Sequence, residues 1–274
     1  MRYLKFYFAV LLLTLCLSVK AQVDTIQVQS ASMSKSIKNV VIIPEGYNGT
    51  KAFPVVYLLH GAGGNYSGWI KQVPQLKAYA DANQVIIVCP DGGRTSWYWD
   101  SPIDESMKYE TYVASELINA IDSQYKTIAS PKGRAITGLS MGGHGAFYLA
   151  IKHQDVWGAA GSQSGGVDIR PFPNSWDMAE RLGSYSEHPE NWEENTVINM
   201  LHLLSGRETK LKMIFECGTS DFFYDGNKRL HQKMLEMNIP HDYTERPGAH
   251  NWVYWRNSIK YQMVFFKDFF AANE

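Results

Sequence analysis

The sequence predicts an α/β architecture, a mainly parallel central sheet with antiparallel N-terminal strands and helices on both faces. Three observations carry that expectation. Strand-like and helix-like runs alternate from residue 53 to the C-terminus, the pattern of a parallel sheet covered on both sides. The run from Phe53 to Leu59 is apolar throughout rather than alternating, as in a strand buried on both faces. The turn Gly138-Leu139-Ser140-Met141-Gly142-Gly143 joins a strand-like run to a helix-like one with G-x-S-x-G spacing, the spacing of a nucleophile elbow.

In order, residues 24–33 and 36–43 alternate polar and apolar side chains and are rich in β-branched residues, so they read as two half-exposed antiparallel strands. The buried strand 53–59 runs into His60-Gly61-Ala62-Gly63-Gly64. A helix is expected over 69–82, a strand over 84–89, and a helix over 109–125 with Val113, Leu117 and Ile121 on one face. Residues 133–138 form the strand of the elbow, and the helix after it reaches about Lys152. Strands follow near 157–162 and over 211–217, then a helix over 227–237, a strand over 239–245 and a closing helix over 252–270. Between Gly165 and Asn195 lie Pro171, Pro173, Pro189, Trp176 and Trp192 without clear periodicity. A stretch of that length serves either as a cap over the site or as a surface excursion packing its own tryptophans.

The chain opens with Arg2 and Lys5, an apolar run from Phe6 to Leu17, and Ala21 before Gln22. This is the layout of a secretory signal peptide cleaved after residue 21, and the run is short for a membrane span. Cys16 raises a lipoprotein alternative, against which Leu15 is bulky where lipid attachment wants a small residue. The expected organisation is therefore a leader at 1–21 and one domain at 22–274, exported to the periplasm or the extracellular space. The mature part carries 23 cations and 27 acids, a net −4, which offers nucleic acid or an anionic membrane no electrostatic handle. Cys89 and Cys217 end strand-like runs that are not neighbours in this architecture, and read as buried thiols rather than a disulfide.

A serine hydroxyl needs a base within hydrogen-bond reach and an acid to orient that base. On an open α/β sheet the chain order is Ser, acid, His. Of eight histidines, His250 alone follows a late strand and precedes the last helix, in Pro247-Gly248-Ala249-His250. Asp221 follows the strand 211–217 and is preferred over Asp225, which could instead cap the helix near Asn227. The backbone N–H groups of Met141, directly after the serine, and of Ala62, in the Gly-rich loop, are the expected donors to an oxyanion. No metal-ligand spacing and no phosphate loop is present, so no metal or cofactor is expected.

On four pieces the chain resembles the Putative esterase family of α/β-hydrolases, which holds esterase D, mycolyltransferases and the feruloyl and acetylxylan esterases of carbohydrate esterase family 1. They are Tyr57 to Gly64, Gly138 to Gly143, Cys217 to Asp221 and Pro247 to Trp252. The resemblance implies Ser140, Asp221 and His250 as triad, with Ala62 and Met141 as oxyanion donors, in agreement with the residue reading. It also implies a secreted serine esterase acting on small-molecule or polysaccharide esters, with feruloyl or acetyl groups on plant polysaccharides as first choice. Trp97, Trp176 and Trp252 are then candidate platforms for a sugar or feruloyl ring. Siderophore esterases and acyltransferases share such a triad; a non-catalytic glycan binder and a peptidase are the alternatives from other classes.

Overall fold

The computed structural model describes residues 22–204 and 211–273. The leader expected at 1–21 lies outside the described residues. Strands β1 (Gln22–Ser30) and β2 (Lys35–Ile43) form the antiparallel start of the sheet. After β3 (Val55–Leu59), the helix expected over 69–82 is divided into α1 (Gly68–Gln72) and α2 (Leu76–Asn83). Pro74 is the reason: a proline pushes the residue before it out of helical geometry, and Val73 stands at φ −128°, ψ 74°.

β4 (Ile86–Pro90) follows, then α3 (Tyr109–Thr111), a wide turn of π-helix over Tyr112–Glu116, and α4 (Leu117–Gln124). The expected helix over 109–125 is thus one helical run with a widened turn near its start. That turn carries Tyr112, whose hydroxyl donates to Asn39 Oδ1 at 2.9 Å, and Glu116, which accepts from Ser30 Oγ and the Ser32 N–H. β5 (Arg134–Gly138), α5 (Met141–Lys152) and β6 (Ala159–Gln163) complete the centre of the chain.

The irregular stretch after Gly165 contains two short helices, α6 (Met178–Leu182) and α7 (Pro189–Glu194). Its tryptophans divide: Trp192 is buried and donates to the Gly183 carbonyl at 2.9 Å, whereas Trp176 remains half exposed. β7 (Lys212–Gly218), α8 (Tyr224–Glu236), β8 (Asp242–Arg246) and α9 (Trp252–Ala271) close the chain. α8 begins three residues ahead of the expected start, and Ile239 to His241 precede β8 rather than open it.

Among the described residues, eight strands lie in the order β1-β2-β4-β3-β5-β6-β7-β8, and of these only β2 runs against the others. Side chains two apart share a face. Val55, Tyr57 and Leu59 therefore join the core under α4, α5 and α8, while Val56 and Leu58 join the core under α1, α2 and α9. Two-sided burial is why these strands read as unbroken apolar runs. The loops after β3, β5, β7 and β8 all leave from the carboxyl ends of parallel neighbours, which is where such sheets place their sites.

Candidate active site

The turn after β5 presents Ser140. The strand ends at Gly138, α5 begins at Met141, and Ser140 between them stands at φ 57°, ψ −119°. Such backbone costs a non-glycine residue on the order of 1–3 kcal/mol. The turn is closed by the Gly142 N–H donating to the Leu139 carbonyl at 2.7 Å and the His144 N–H donating to that of Ser140 at 3.0 Å. The glycine spacing has a direct cause. A Cβ on Gly138 would stand 2.6 Å from the Gly142 carbonyl, and one on Gly142 would stand 2.5 Å from the Leu59 carbonyl oxygen. The end of β3, the end of β5 and the start of α5 meet there backbone to backbone.

His250, in the loop from β8 to α9, places Nε2 2.9 Å from Ser140 Oγ. Its Nδ1 lies 2.9 and 3.0 Å from the two carboxylate oxygens of Asp221. Asp221 is buried in the loop after β7, and its Oδ1 also accepts from the Phe223 N–H at 2.9 Å. A carboxylate can only accept, so Nδ1 carries the imidazole proton and Nε2 is left with a lone pair facing the serine hydroxyl. Asp225, the competing acid, is exposed in the first turn of α8. Phe222 and Trp255 hold the His250 ring between them, with centroids 4.2 and 4.9 Å away.

The two expected donors both lie next to Ser140's turn or its cavity: Met141 directly follows Ser140, and Ala62 lines the same cavity as Ser140. Met141 opens α5, where a first-turn N–H has no carbonyl a turn earlier. In the loop after β3, the Gly63 N–H goes to the Arg94 carbonyl and the Gly64 N–H to that of Gly61, and Ala62 lies between Gly61 and these two. Among the described residues, the Ala62 and Met141 N–H groups have no carbonyl partner. The loop is tied down by His60, which is buried: its Nε2 accepts from the Gly92 N–H at 2.9 Å, so Nδ1 holds the proton and donates to the Gly61 carbonyl at 2.8 Å.

A cavity of about 320 Å³ opens above Ser140, lined by the Gly61 to Gly64 loop, Trp176, Phe222, His250, Trp252 and Trp255. Of the three tryptophans expected to meet substrate, Trp176 and Trp252 line it. Trp97 does not: it is 1% exposed, stacked on Trp99 at 5.6 Å, and donates from Nε1 to the Trp176 carbonyl at 3.4 Å. Its role in the structure is to support Trp176 from below. Among the described residues no group of three or more His, Cys, Asp or Glu is placed to hold a metal ion.

The profile of the family described as Putative esterase matches residues 30–266. The chain belongs to that family. The chain is 36% identical to the diacylglycerol acyltransferase/mycolyltransferase Ag85A of Mycobacterium leprae over 281 residues, covering 86% of this chain and 80% of that protein. It is 25% identical to an esterase of Mycobacterium tuberculosis over 246 residues, covering 77% of this chain and 51% of the relative, so it spans about half that protein's length. Among solved structures, a ferulic acid esterase superposes with a TM-score of 0.80 at 26% identity, covering 92% of this chain and 99% of that one. An S-formylglutathione hydrolase of Staphylococcus aureus superposes with a TM-score of 0.80 at 18% identity, covering 90% and 99%. The fold is that of the α/β-hydrolase esterases.

Two residues at the site, Phe222 and Trp255, carry no motif, and a third, His60, lies in the Tyr57 to Gly64 piece without its role being legible there. Phe222 directly follows Asp221 and is 51% exposed over the cavity; its only sequence signal is a large apolar residue in a strand-end loop. His60 acts through Gly92, 32 residues away, a pairing without local signature. Trp255 bonds Ser164 Oγ at 3.2 Å while its ring meets His250 edge-on, and in sequence it is one more apolar position of the last helix.

Proposed function

We propose that the esterase hydrolyses carboxylic esters through an acyl-enzyme on Ser140, and that its substrates are feruloyl or acetyl esters of plant polysaccharides met after export. The observation that carries the chemistry is His250 spanning Ser140 and Asp221 with hydrogen bonds of about 3 Å on either side. In the first half-reaction Ser140 Oγ adds to the ester carbonyl carbon as its proton passes to His250 Nε2. The carbonyl oxygen, now anionic, takes the N–H groups of Ala62 and Met141. The C–O bond to the alcohol then breaks, and Nε2 returns the proton to the leaving oxygen. In the second half-reaction a water gives its proton to Nε2, attacks the acyl carbon and releases the acid, restoring Ser140.

The substrate class rests on the aromatic lining by Trp176, Phe222 and Trp252, on the likeness to a ferulic acid esterase and on the leader-like residues 1–21. The segment 165–195, which places Trp176 at the cavity, serves as the partial cap. The match to an acyltransferase over most of the chain favours one second reading, in which an alcohol takes the place of water in the second half-reaction. The test is a panel of methyl ferulate, acetylated xylan and 4-nitrophenyl acetate, assayed with and without an added sugar alcohol. Ser140→Ala should lose at least about 1,000-fold in kcat. Equal turnover by wild type and variant would overturn the mechanism, and acyl transfer outrunning hydrolysis would favour the second reading.

A further inference from the structure

Phe222 takes no part in the hydrogen-bonded triad, yet its ring lies against the catalytic imidazole. The two centroids stand 4.2 Å apart with 38° between the planes. That is below the roughly 4.5–7 Å usual for aromatic pairs, a separation reached only when rings meet across their faces. Trp255 and Phe223 meet the imidazole at 89° and 78°, with centroids 4.9 and 5.4 Å away. Among the described residues, Phe222 therefore offers His250 its closest and flattest ring contact.

The turn that places the acid also places this ring. The Asp221 N–H donates to the Gly218 carbonyl at 3.0 Å, and Asp221 Oδ1 accepts from the Phe223 N–H at 2.9 Å. Phe222, between those two bonds, is packed edge-on by Phe223 at 4.7 Å and lies nearly parallel to Trp176 at 5.7 Å. One loop thus supplies the base with two partners of different kinds, a carboxylate at Nδ1 and a phenyl ring at the imidazole face.

The face of a phenyl ring carries the negative part of its quadrupole, and a cation within about 6 Å of its centroid is attracted to it. A neutral imidazole gains little from that, whereas an imidazolium gains it fully. His250 becomes that cation when it takes the Ser140 proton, and its side chain is only 15% exposed, so water supplies little of the solvation the charge needs. Among the described residues, Asp221 is the one charged group in contact with it. Cys217 and Tyr254, both near Asp221, stay neutral: burial pushes the thiol up, and the phenol up to about 12. Arg246 is paired with Glu216, and His60, which lines the same cavity, is engaged with Gly61 and Gly92.

We propose that Phe222 is a positioning residue for ester hydrolysis, its ring face holding His250 towards Ser140 and favouring the imidazolium over the neutral imidazole. The proposal rests on the esterase reading above.

The test compares Phe222→Leu, which stays apolar without a π face, with Phe222→Tyr, which keeps the face. Phe222 is 51% exposed, so neither change opens the core. Because the ring favours the charged form, its loss should let His250 stay neutral to lower pH. In Phe222→Leu the midpoint of the acid limb of kcat/KM on 4-nitrophenyl acetate should move down by about half a unit, with about a threefold loss on the plateau. Phe222→Tyr should keep both wild-type values. A plateau loss with an unmoved midpoint would leave Phe222 a packing role only and overturn the proposal, as would an upward shift or a Phe222→Tyr that behaves like Phe222→Leu. NMR titration of the His250 ring protons in Ser140→Ala reads the same shift without turnover, so a failure of the esterase reading is told apart from a failure of this one. Adding Phe222→Leu to Ser140→Ala should lower that midpoint by about half a unit, and equal midpoints refute the ring's role.

Discussion

Ser140 is held at a backbone angle that few side-chain-bearing residues adopt, and its neighbours show what sustains it. Gly138 and Gly142 press on each other and on the carbonyl of Leu59, so there is no volume for a methyl group on either. We therefore expect Gly142→Ala to push α5 away from the end of β3, carrying the Met141 N–H out of line with Ser140. Overpacking of this kind costs about 1–3 kcal/mol, and misplacing a catalytic group by about 1 Å can cost about 100-fold in rate. Urea unfolding and kcat on 4-nitrophenyl acetate measure the two, and a variant with wild-type kcat would refute the argument. At this scale much of the candidate site was legible in the sequence. Ser140, Asp221 and His250 each occupy a strand-end loop, in an order that an open sheet imposes, and the structure brings them within hydrogen-bond distance. Trp97, named as a candidate platform, takes a core role instead, because residue type alone does not report burial. Trp97 and Tyr98 both stand at positive φ, a local turning that sends Trp97 beneath Trp176 and that no pattern of residue types announces.

α9 begins where the catalytic loop ends, and one side chain serves both. Asn251 Oδ1 accepts from the N–H groups of Val253 and Tyr254 at 3.0 and 3.2 Å, supplying partners that the first turn of a helix lacks. It is also the residue after His250. Asn251→Ala should cost about 1 kcal/mol in unfolding free energy and, by loosening the loop, lower kcat more than it raises KM. Steady-state kinetics beside a denaturation curve would check the pair of effects, and a change in KM alone would count against it. The helix expected over 69–82 failed as one piece because of Pro74, which was visible in the sequence. The widened turn at Tyr112–Glu116 was not visible, since it is fastened by Asn39, Ser30 and Ser32 on the first two strands and their connection, contacts with a large sequence separation.

For the molecule as a whole, two buried groups contribute to how stability follows pH. His144 lies within α5, accepts from Trp99 Nε1 at 2.9 Å and bonds the Gly166 carbonyl through Nδ1 at 3.0 Å. Burial lowers its pKa from 6.5 to about 4, against the opposing pull of the Gly166 carbonyl. Between those two values the unfolded chain holds a proton that the folded chain refuses, so stability falls as pH drops from about 6.5 to about 4 and this contribution is exhausted below that. The span corresponds to about 3 kcal/mol. Glu110 acts further down. Burial pushes its carboxyl up, but bonds from His153, Lys152 and Tyr148 outweigh that and bring it to about 2. Its stabilisation is present above about 4.5 and fades as pH falls towards about 2. Urea midpoints measured between pH 4 and pH 7 should decline continuously on acidification, and a flat profile across that interval would contradict the His144 argument. The sheet was legible at this scale because two-sided burial writes itself as unbroken apolar runs.

The meeting of the ends of β3 and β5 with the start of α5 has a consequence for how such a molecule can be altered. The elbow and the Gly61 to Gly64 loop are registered by main chain against main chain, whereas Trp176, which lines the cavity, is a side chain on a loop outside that contact. Selection for a new substrate can therefore work through residues 171–176 while the register of the elbow, and Phe222 against His250, stay untouched. A library confined to those positions would sample acyl preference at little risk to turnover itself, which makes this chain a candidate parent for laboratory evolution of ester selectivity.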